Sequence, residues 1–447
     1  MKKKVLVFGS GISGIGACNL LTQVGKNVIL YDGDASLNPE EMKKQLASGA
    51  NVEIILGELP EAVMDTLEMV VMSPGVPTDL PVVNKMRDMG IQISGEVELA
   101  YTYGKGDVLA ITGTNGKTTT TALLGEIMKN YKESVFVVGN IGNPYTTEAL
   151  KMTEDSVAVA EMSSFQLETI HTFRPRVSAI LNITPDHLNR HHTMENYIQA
   201  KEDIAKNQTE EDTCVLNYED EETRRFGENL KAKVLYFSSQ RKLEKGIYLE
   251  DGNIVYKDGE PVVLCHVSEL KLLGTHNYEN VMAASAMAAA YGVPMDIIRK
   301  TIKAFAGVEH RIEFVCEKNG VAFYNDSKGT NPDAAIKGIQ AMNRPTLLIG
   351  GGYDKESTYE EWIEAFDGKV KHFVLLGQTK EKIAQTARKL GFENIIMTES
   401  LEEAVRTCAK LAEPGDAVLL SPACASWGMF KNYEERGDKF KAIVKAL

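Results

Sequence analysis

The segment Thr112-Gly113-Thr114-Asn115-Gly116-Lys117-Thr118 separates a β-branched run, Val108 to Thr112, from a stretch in which Leu123, Leu124, Ile127, Met128 and Tyr131 recur at helical spacing. A strand, loop and helix in that order point successive backbone N–H groups and a helix N-terminus at one spot, which is the arrangement a phosphate requires. Lys117 would reach the β- and γ-phosphates, and the Thr118 hydroxyl would face Mg²⁺. The full phosphate-loop pattern has glycine where Ile111 stands, so the match is to its second half. A helix start capped by Thr and Asn is the plainer alternative, but it gives Gly-Lys-Thr no purpose. Mg²⁺ takes hard oxygen ligands. The candidates are Glu161, after the strand-like SVAVA, and the Thr184-Pro185-Asp186-His187 turn after VSAILNI. His187, His191 and His192 also raise zinc, but a helical HExxH requires Glu at 188, where the chain has Leu188. His191 and His192 are expected as exposed loop histidines.

A second glycine loop opens the chain. Gly9, Gly11 and Gly14 stand as GxGxxG between a strand-like run and a helix, and Asp32 ends the next strand. The glycines permit a tight turn and close phosphate approach, and the acid can take ribose hydroxyls. NAD or FAD, another nucleotide, and a purely structural turn all fit this pattern, and Asp32 is equally a turn residue.

These loops need a scaffold. Short β-branched runs alternate with amphipathic segments almost throughout, the pattern of parallel sheets wrapped by helices. The expected fold is α/β with three doubly wound domains: a Rossmann-like domain over 1–94, a P-loop ATPase-like domain with a mostly parallel sheet over 95–306, and a Rossmann-like domain over 307–447. At 447 residues the chain exceeds one core of roughly 100–200 residues. With 43% hydrophobic and 25% charged residues it is neither disordered nor fibrous. A net charge of -13 argues against nucleic acid as a partner and requires anionic ligands to be held locally. Six cysteines without a CxxC pair suit a reducing cytoplasm. No apolar run approaches a membrane span.

Read together, TGTNGKTT, GNIG (139–142), EMSSFQLE (161–168), NITPDHLNRH (182–191) and Lys201 in ENYIQAKEDI resemble the ATP domain of the muramyl ligases, which add amino acids to the cytoplasmic peptidoglycan precursor. GTHNYEN (274–280), GVEHRIE (307–313), NDSKGTNPDA (325–334), IGGGYDK (349–355) and SPACASWGMFKNYEERG (421–437) carry the resemblance to the end of the chain. NDSKGTN matches the members that join D-glutamate to UDP-N-acetylmuramoyl-L-alanine. The resemblance implies ATP and two Mg²⁺ ions. Gly113, Thr114, Asn115, Gly116, Lys117, Thr118 and Thr119 would hold the phosphates, Asn277 and Asn280 the adenine, and Arg311, Asp326 and Lys328 the ribose and phosphates once that domain closes. Thr118 and Glu161 would hold one Mg²⁺. His187 and Lys201 would serve the other, with Lys201 carbamylated by CO₂. Gly11, Ile12, Ser13, Asp32, Gly75 and Asn140 would cradle the uridine diphosphate, so the ligand of the first loop becomes UDP and not NAD. Thr330, Lys355, Ser426 and Tyr433 would bind D-glutamate, and Gly329, where many relatives have Ala, looks tolerable. A monomer is expected. A folate polyglutamyl ligase and an NAD-dependent oxidoreductase stand as the alternatives, with a noncatalytic nucleotide binder behind them.

Overall fold

The computed structural model describes residues 3–354 and 357–447. Three sheets follow one another along the chain. The first contains β1 (Lys4–Phe8), β2 (Asn27–Asp32), β3 (Val52–Leu56), β4 (Leu67–Met72) and β5 (Gln92–Gly95), in the order β3-β2-β1-β4-β5. All its pairings are parallel. β1 is central, flanked by β2 and β4, and fully buried runs such as Val5, Leu6 and Val7 are what a strand covered on both faces requires.

The second sheet holds β6 (Asp107–Thr112), β7 (Val135–Gly139), β8 (Val157–Glu161), β9 (Val177–Ile180), β10 (Thr213–Asn217), β11 (Lys233–Ser238), β12 (Gly246–Glu250), β13 (Asn253–Lys257) and β14 (Pro261–His266). Their order is β14-β13-β12-β11-β10-β9-β6-β8-β7. The sheet is parallel from β7 across to β12, and β12 turns back antiparallel onto β13. Inside it, β6 lies between β8 and β9, so the chain leaves β6 where the strand order reverses. Such a switch point opens a crevice at the carboxyl ends of the strands.

The third sheet contains β15 (Glu313–Lys318), β16 (Val321–Asn325), β17 (Thr346–Gly350), β18 (Val370–Leu375), β19 (Ile395–Met397) and β20 (Ala417–Leu420), ordered β15-β16-β20-β17-β18-β19. Only the β15–β16 pair is antiparallel among its described pairings.

The chain forms two compact units, Met1–Leu264 with Glu279–Thr301, and Cys265–Tyr278 with Ile302–Leu447. Within the first unit the first two sheets share one hydrophobic core. Ile15, Leu20 and Leu21 of the helix Ile12–Gln23 and Val97 and Leu99 of the helix Glu96–Tyr103 pack in one cluster with Val108, Ala110 and Ala158 of the second sheet. Leu123, Leu124, Ile127 and Met128 of the helix Lys117–Lys129 are buried as their spacing predicts. Tyr131 departs from the expected stripe: the helix ends before it and its side chain is exposed. The six cysteines are free, five of them buried. Among the described residues no helix is long and apolar enough to cross a membrane.

Candidate functional site

Gly113 and Gly116 bracket the phosphate loop with φ of 147° and 87°, conformations that favour glycine. Space is also short, since a Cβ on Gly116 would fall 2.2 Å from Asn280 Oδ1. The loop is tied to the end of β9: Thr114 N donates to Asn182 O at 2.9 Å, and Asn115 N donates to Asn182 Oδ1 at 2.8 Å. Thr114 Oγ1 donates to Thr184 O at 3.0 Å and lies 3.0 Å from Tyr197 Oη. The loop is therefore fixed before any ligand arrives, which is the preorganisation that charge stabilisation needs. Thr118 is half-buried and Thr119 buried in the first helical turn.

Two lysines converge on one carbonyl. Lys117 Nζ donates to Gly113 O at 2.9 Å and to Thr114 O at 3.0 Å, and Lys201 Nζ donates to the same Gly113 O at 2.8 Å. Lys201 lies on the helix Met194–Glu202, which Thr193 caps by accepting from Asn196 N at 3.2 Å. Tyr197 and Lys201 are four residues apart, hence on one face. That face is buried, with the ammonium 4.6 Å from the Tyr197 ring centroid and Lys201 only 2% exposed. Burial, reinforced by the Lys117 charge, pushes the Lys201 ammonium down to about 7.

Glu161 ends β8 on the other side of the loop and is 1% exposed. Its Oε1 accepts from Asn140 Nδ2 at 2.8 Å, and its Oε2 is buried with no hydrogen-bond partner among the described residues. An orphaned, buried carboxylate oxygen beside a phosphate loop has the chemistry of a hard-cation ligand, so these residues fit a divalent metal. Asn140 is thereby engaged with Glu161; its backbone N also donates to Glu161 O at 2.9 Å.

His187 takes a left-handed φ of 51° at the start of the short helix Leu188–His191. Its ring is exposed, 3.5 Å from Asp186 and 5.0 Å from the Phe165 ring centroid. His191 corrects the expectation of exposed loop histidines: it is 4% exposed, with Nε2 2.9 Å from Ser164 Oγ and Nδ1 3.2 Å from Glu168 Oε1. Anchoring the short helix, and not solvent, is its environment. His192 is exposed beside Asp79 as expected.

At the first loop a Cβ on Gly14 would meet Gly9 O at 1.8 Å, so glycine there serves close helix–strand packing. Gly11 caps the helix Ile12–Gln23, Ile12 is 76% exposed, Ser13 is half-buried, and Gly75 is exposed on the rim after β4. Asp32 binds within the chain, accepting from Ser10 N at 2.9 Å and Ser10 Oγ at 2.6 Å. Between the two rims of this unit, Glu168 accepts from Thr78 and Arg190 at 3.2 and 3.0 Å.

The adenine candidates are both buried. Asn280 Oδ1 accepts from Thr120 Oγ1 at 3.3 Å, and Asn277 Nδ2 donates to Leu273 O at 2.7 Å.

In the second unit, Asp326 is buried after β16, where its carboxylate accepts from Ser421 Oγ at 2.7 Å and Ile312 N at 3.2 Å. Burial outweighs these bonds and raises the carboxyl to about 7. Lys328 Nζ stands 5.9 Å from the Tyr433 ring centroid, Arg311 is exposed, and Thr330 is half-buried. At Gly329 a Cβ would fall 2.7 Å from Asp326 Oδ2, so glycine suits the space there. Ser426 is buried after β20, and Tyr433 begins the helix Tyr433–Ala446. Lys355 lies outside the described residues.

The chain matches three family descriptions in succession: Mur ligase MurD-like, N-terminal domain over 3–95, Mur ligase middle domain over 111–288, and Mur ligase, glutamate ligase domain over 310–424. It is 60% identical over 446 residues to the UDP-N-acetylmuramoylalanine--D-glutamate ligase of Lachnoclostridium phytofermentans, covering 100% of this chain and 98% of the relative. This chain belongs to the Mur ligase family. The enzyme of the same name from Lachnospira eligens is 57% identical, covering 100% and 99%. The fold extends to distant Mur ligases: UDP-N-acetylmuramate-alanine ligase from Thermotoga maritima aligns over 99% of both chains with a TM-score of 0.59 at 19% identity. MurF ligase from the same organism, solved in complex with ADP, aligns over 100% and 99% with a TM-score of 0.56 at 17% identity.

Seen within a Mur ligase, three residues beyond the sequence reading draw notice. Asn182 and Tyr197 fasten the phosphate loop. Arg436 is buried, donating to Ser327 Oγ and O at 2.9 and 2.8 Å and to Cys424 O at 3.2 Å. Asn182 was open to recognition as the first residue of its motif, whereas an arginine in the acidic NYEERG run reads as a solvated charge.

Proposed function

We propose that this chain is the ATP-dependent ligase that joins D-glutamate to UDP-N-acetylmuramoyl-L-alanine during peptidoglycan precursor synthesis, working in the cytoplasm as a monomer. The observation that carries the phosphoryl chemistry is the convergence of Lys117 and Lys201 on Gly113 O beside the orphaned oxygen of Glu161. The substrates follow from the full-length relatives.

A carboxylate is a poor electrophile with a poor leaving group, and phosphorylation cures both defects. One oxygen of the L-alanyl carboxylate attacks the γ-phosphorus of ATP, the bond to the bridging oxygen breaks, and ADP departs. The D-glutamate amine then attacks the acyl carbon. The C–O bond to phosphate breaks, phosphate leaves, and the nitrogen releases its extra proton. Backbone N–H groups of 113–118 hold the phosphates, and Lys117 balances charge on the transferring group. Magnesium, when bound, spreads the charge on the phosphoryl oxygens. Thr118 and Glu161 would hold one ion, with Asn140 fixing the carboxylate, and His187 and Lys201 would serve a second. A free ammonium would repel a cation. Lys201, lowered to about 7, offers a neutral amine near physiological pH, and that amine can add to the carbon of CO₂ and release a proton to solvent, leaving an anionic carbamate.

Asn277 and Asn280 would receive the adenine, with Arg311, Asp326 and Lys328 on ribose and phosphates. Gly11, Ile12, Ser13, Asp32, Gly75 and Asn140 would cradle the uridine diphosphate, and Thr330, Lys355, Ser426 and Tyr433 would bind D-glutamate. Nicotinamide and folate readings explain less: neither uses the glycine loop at 9–14 and the phosphate loop together.

The test is phosphate release from Mg-ATP and UDP-N-acetylmuramoyl-L-alanine with D-glutamate, L-glutamate, L-lysine or diaminopimelate in parallel. Turnover confined to D-glutamate, with a product heavier by one glutamyl residue, is expected. Turnover with a different amino acid only, or with none, would overturn the assignment.

A further inference from the structure

Thr379 occupies the N-cap of the helix Lys380–Lys389, and its side chain makes no capping hydrogen bond. Its backbone is already helical there, with φ of −83° and ψ of −5°, so the hydroxyl is not in the capping position. The hydroxyl turns to another partner. Gly352 N donates to Thr379 Oγ1 at 3.0 Å, while Thr379 N donates to Gly352 O at 3.1 Å. The hydroxyl proton has two acceptors in reach, Gly352 O and Cys424 Sγ, each at 3.3 Å. Cys424 Sγ also stands 3.3 Å from Tyr359 Oη. A hydroxyl has one proton and two lone pairs: Gly352 N–H occupies one lone pair, and the proton goes to Gly352 O or to Cys424 Sγ.

The two loops that meet at Thr379 are the ones leaving β17 and β20. They are stitched to one another, with Gly351 N donating to Pro422 O and Tyr353 N donating to Ala425 O, both at 2.9 Å. They pack so closely that a Cβ on Gly352 would fall 2.4 Å from Ala425 O, and one on Gly377 would fall 2.8 Å from Gly352 Cα. The second loop leads directly into Ser426. Thr379 is 1% exposed, so its Oγ1 is out of reach of solvent and can only act through the loops.

We infer that Thr379 is a positioning residue for the amino-acid substrate: its hydroxyl sets the separation of the 350–354 and 422–426 loops and so the placement of Ser426. This rests on the reading that these loops bind the incoming amino acid. Losing the hydroxyl leaves Gly352 N–H buried without an acceptor, which the loop relieves by moving.

The experiment compares wild type, Thr379→Val, Thr379→Ala and Thr379→Ser for the KM of D-glutamate, ATP and the uridine nucleotide separately, with thermal melts alongside. Thr379→Val is expected to raise the KM for D-glutamate about 10-fold, with the other two KM values within about 2-fold and Thr379→Ser close to wild type. Thr379→Ala removes the same hydroxyl without placing a second methyl near Cys424, and carries the test should the valine variant not fold. A folded Val or Ala variant with an unchanged KM for the amino acid, or with all three KM values rising together, would overturn the inference. The wild-type row separates this from the substrate assignment: if another amino acid is the substrate, its KM is the one read.

Discussion

Two cationic side chains donating to a single carbonyl oxygen repel one another, and the offsetting groups are the carbonyl oxygens of Gly113 and Thr114 and the Asp186 carboxylate. Lys201 bears the cost, since it is the more buried partner. An anion formed on Lys201 itself would remove the repulsion and give the second metal ion a ligand. Lys201→Ala is therefore expected to reduce kcat by about 10²–10³-fold or more, with partial recovery on adding a short-chain carboxylate; an unimpaired variant would eliminate the carbamate. Lys117 was legible in the sequence because its function is written into a contiguous motif. Without its motif, Lys201 sits in a polar helical run, NYIQAKED, and reads as exposed. Its burial arises from Tyr197, one helical turn away, and from the loop at Gly113, which is 88 residues distant in sequence. His191 was misread for the same reason, because Ser164 and Glu168 supply its surroundings.

At the scale of elements, the glycine loops were legible because turn chemistry is local, whereas strands such as β3 and β10 through β15 were not. VEIIL in β3 is only half-buried, and β12 and β13 form an antiparallel hairpin outside the βα alternation. The packing of the first helix makes a sharp prediction. Gly14→Val would drive side-chain atoms into Gly9 O and should cost roughly 1–3 kcal/mol, read as a lower midpoint in denaturant melts. The helix Glu96–Tyr103 offers a second. A carboxylate in the first turn is favoured by the helix dipole by only ~0.3–1 kcal/mol. Burial wins at Glu96, raising it from 4.5 to about 7 despite the bond from Gln166, and Oε2 lacks a partner among the described residues. The folded state then binds a proton that the unfolded chain has released. Stability from this group is complete below pH 4.5 and declines as pH rises toward about 7. Glu96→Gln should accordingly gain stability relative to wild type between pH 5 and pH 8, by up to on the order of 3 kcal/mol. A gain independent of pH would contradict this.

Across the whole molecule, a chain of net charge -13 is expected to bind substrates that are themselves anionic, so recognition rests on local donors and not on the global field. Alternation of strands and helices made three α/β sheets legible, but not the common core of the first two, since no periodicity reports which faces of separate sheets meet. The substrate carboxylate is expected to be activated by phosphorylation at the loop carrying Lys117. The most direct test of this step is turnover of UDP-N-acetylmuramoyl-L-alanine labelled with ¹⁸O in the alanyl carboxylate, with the released phosphate analysed by mass. One ¹⁸O should appear in each phosphate, because the oxygen that attacks the γ-phosphorus leaves with it. Unlabelled phosphate accompanying formation of the amide product would contradict the acyl-phosphate route.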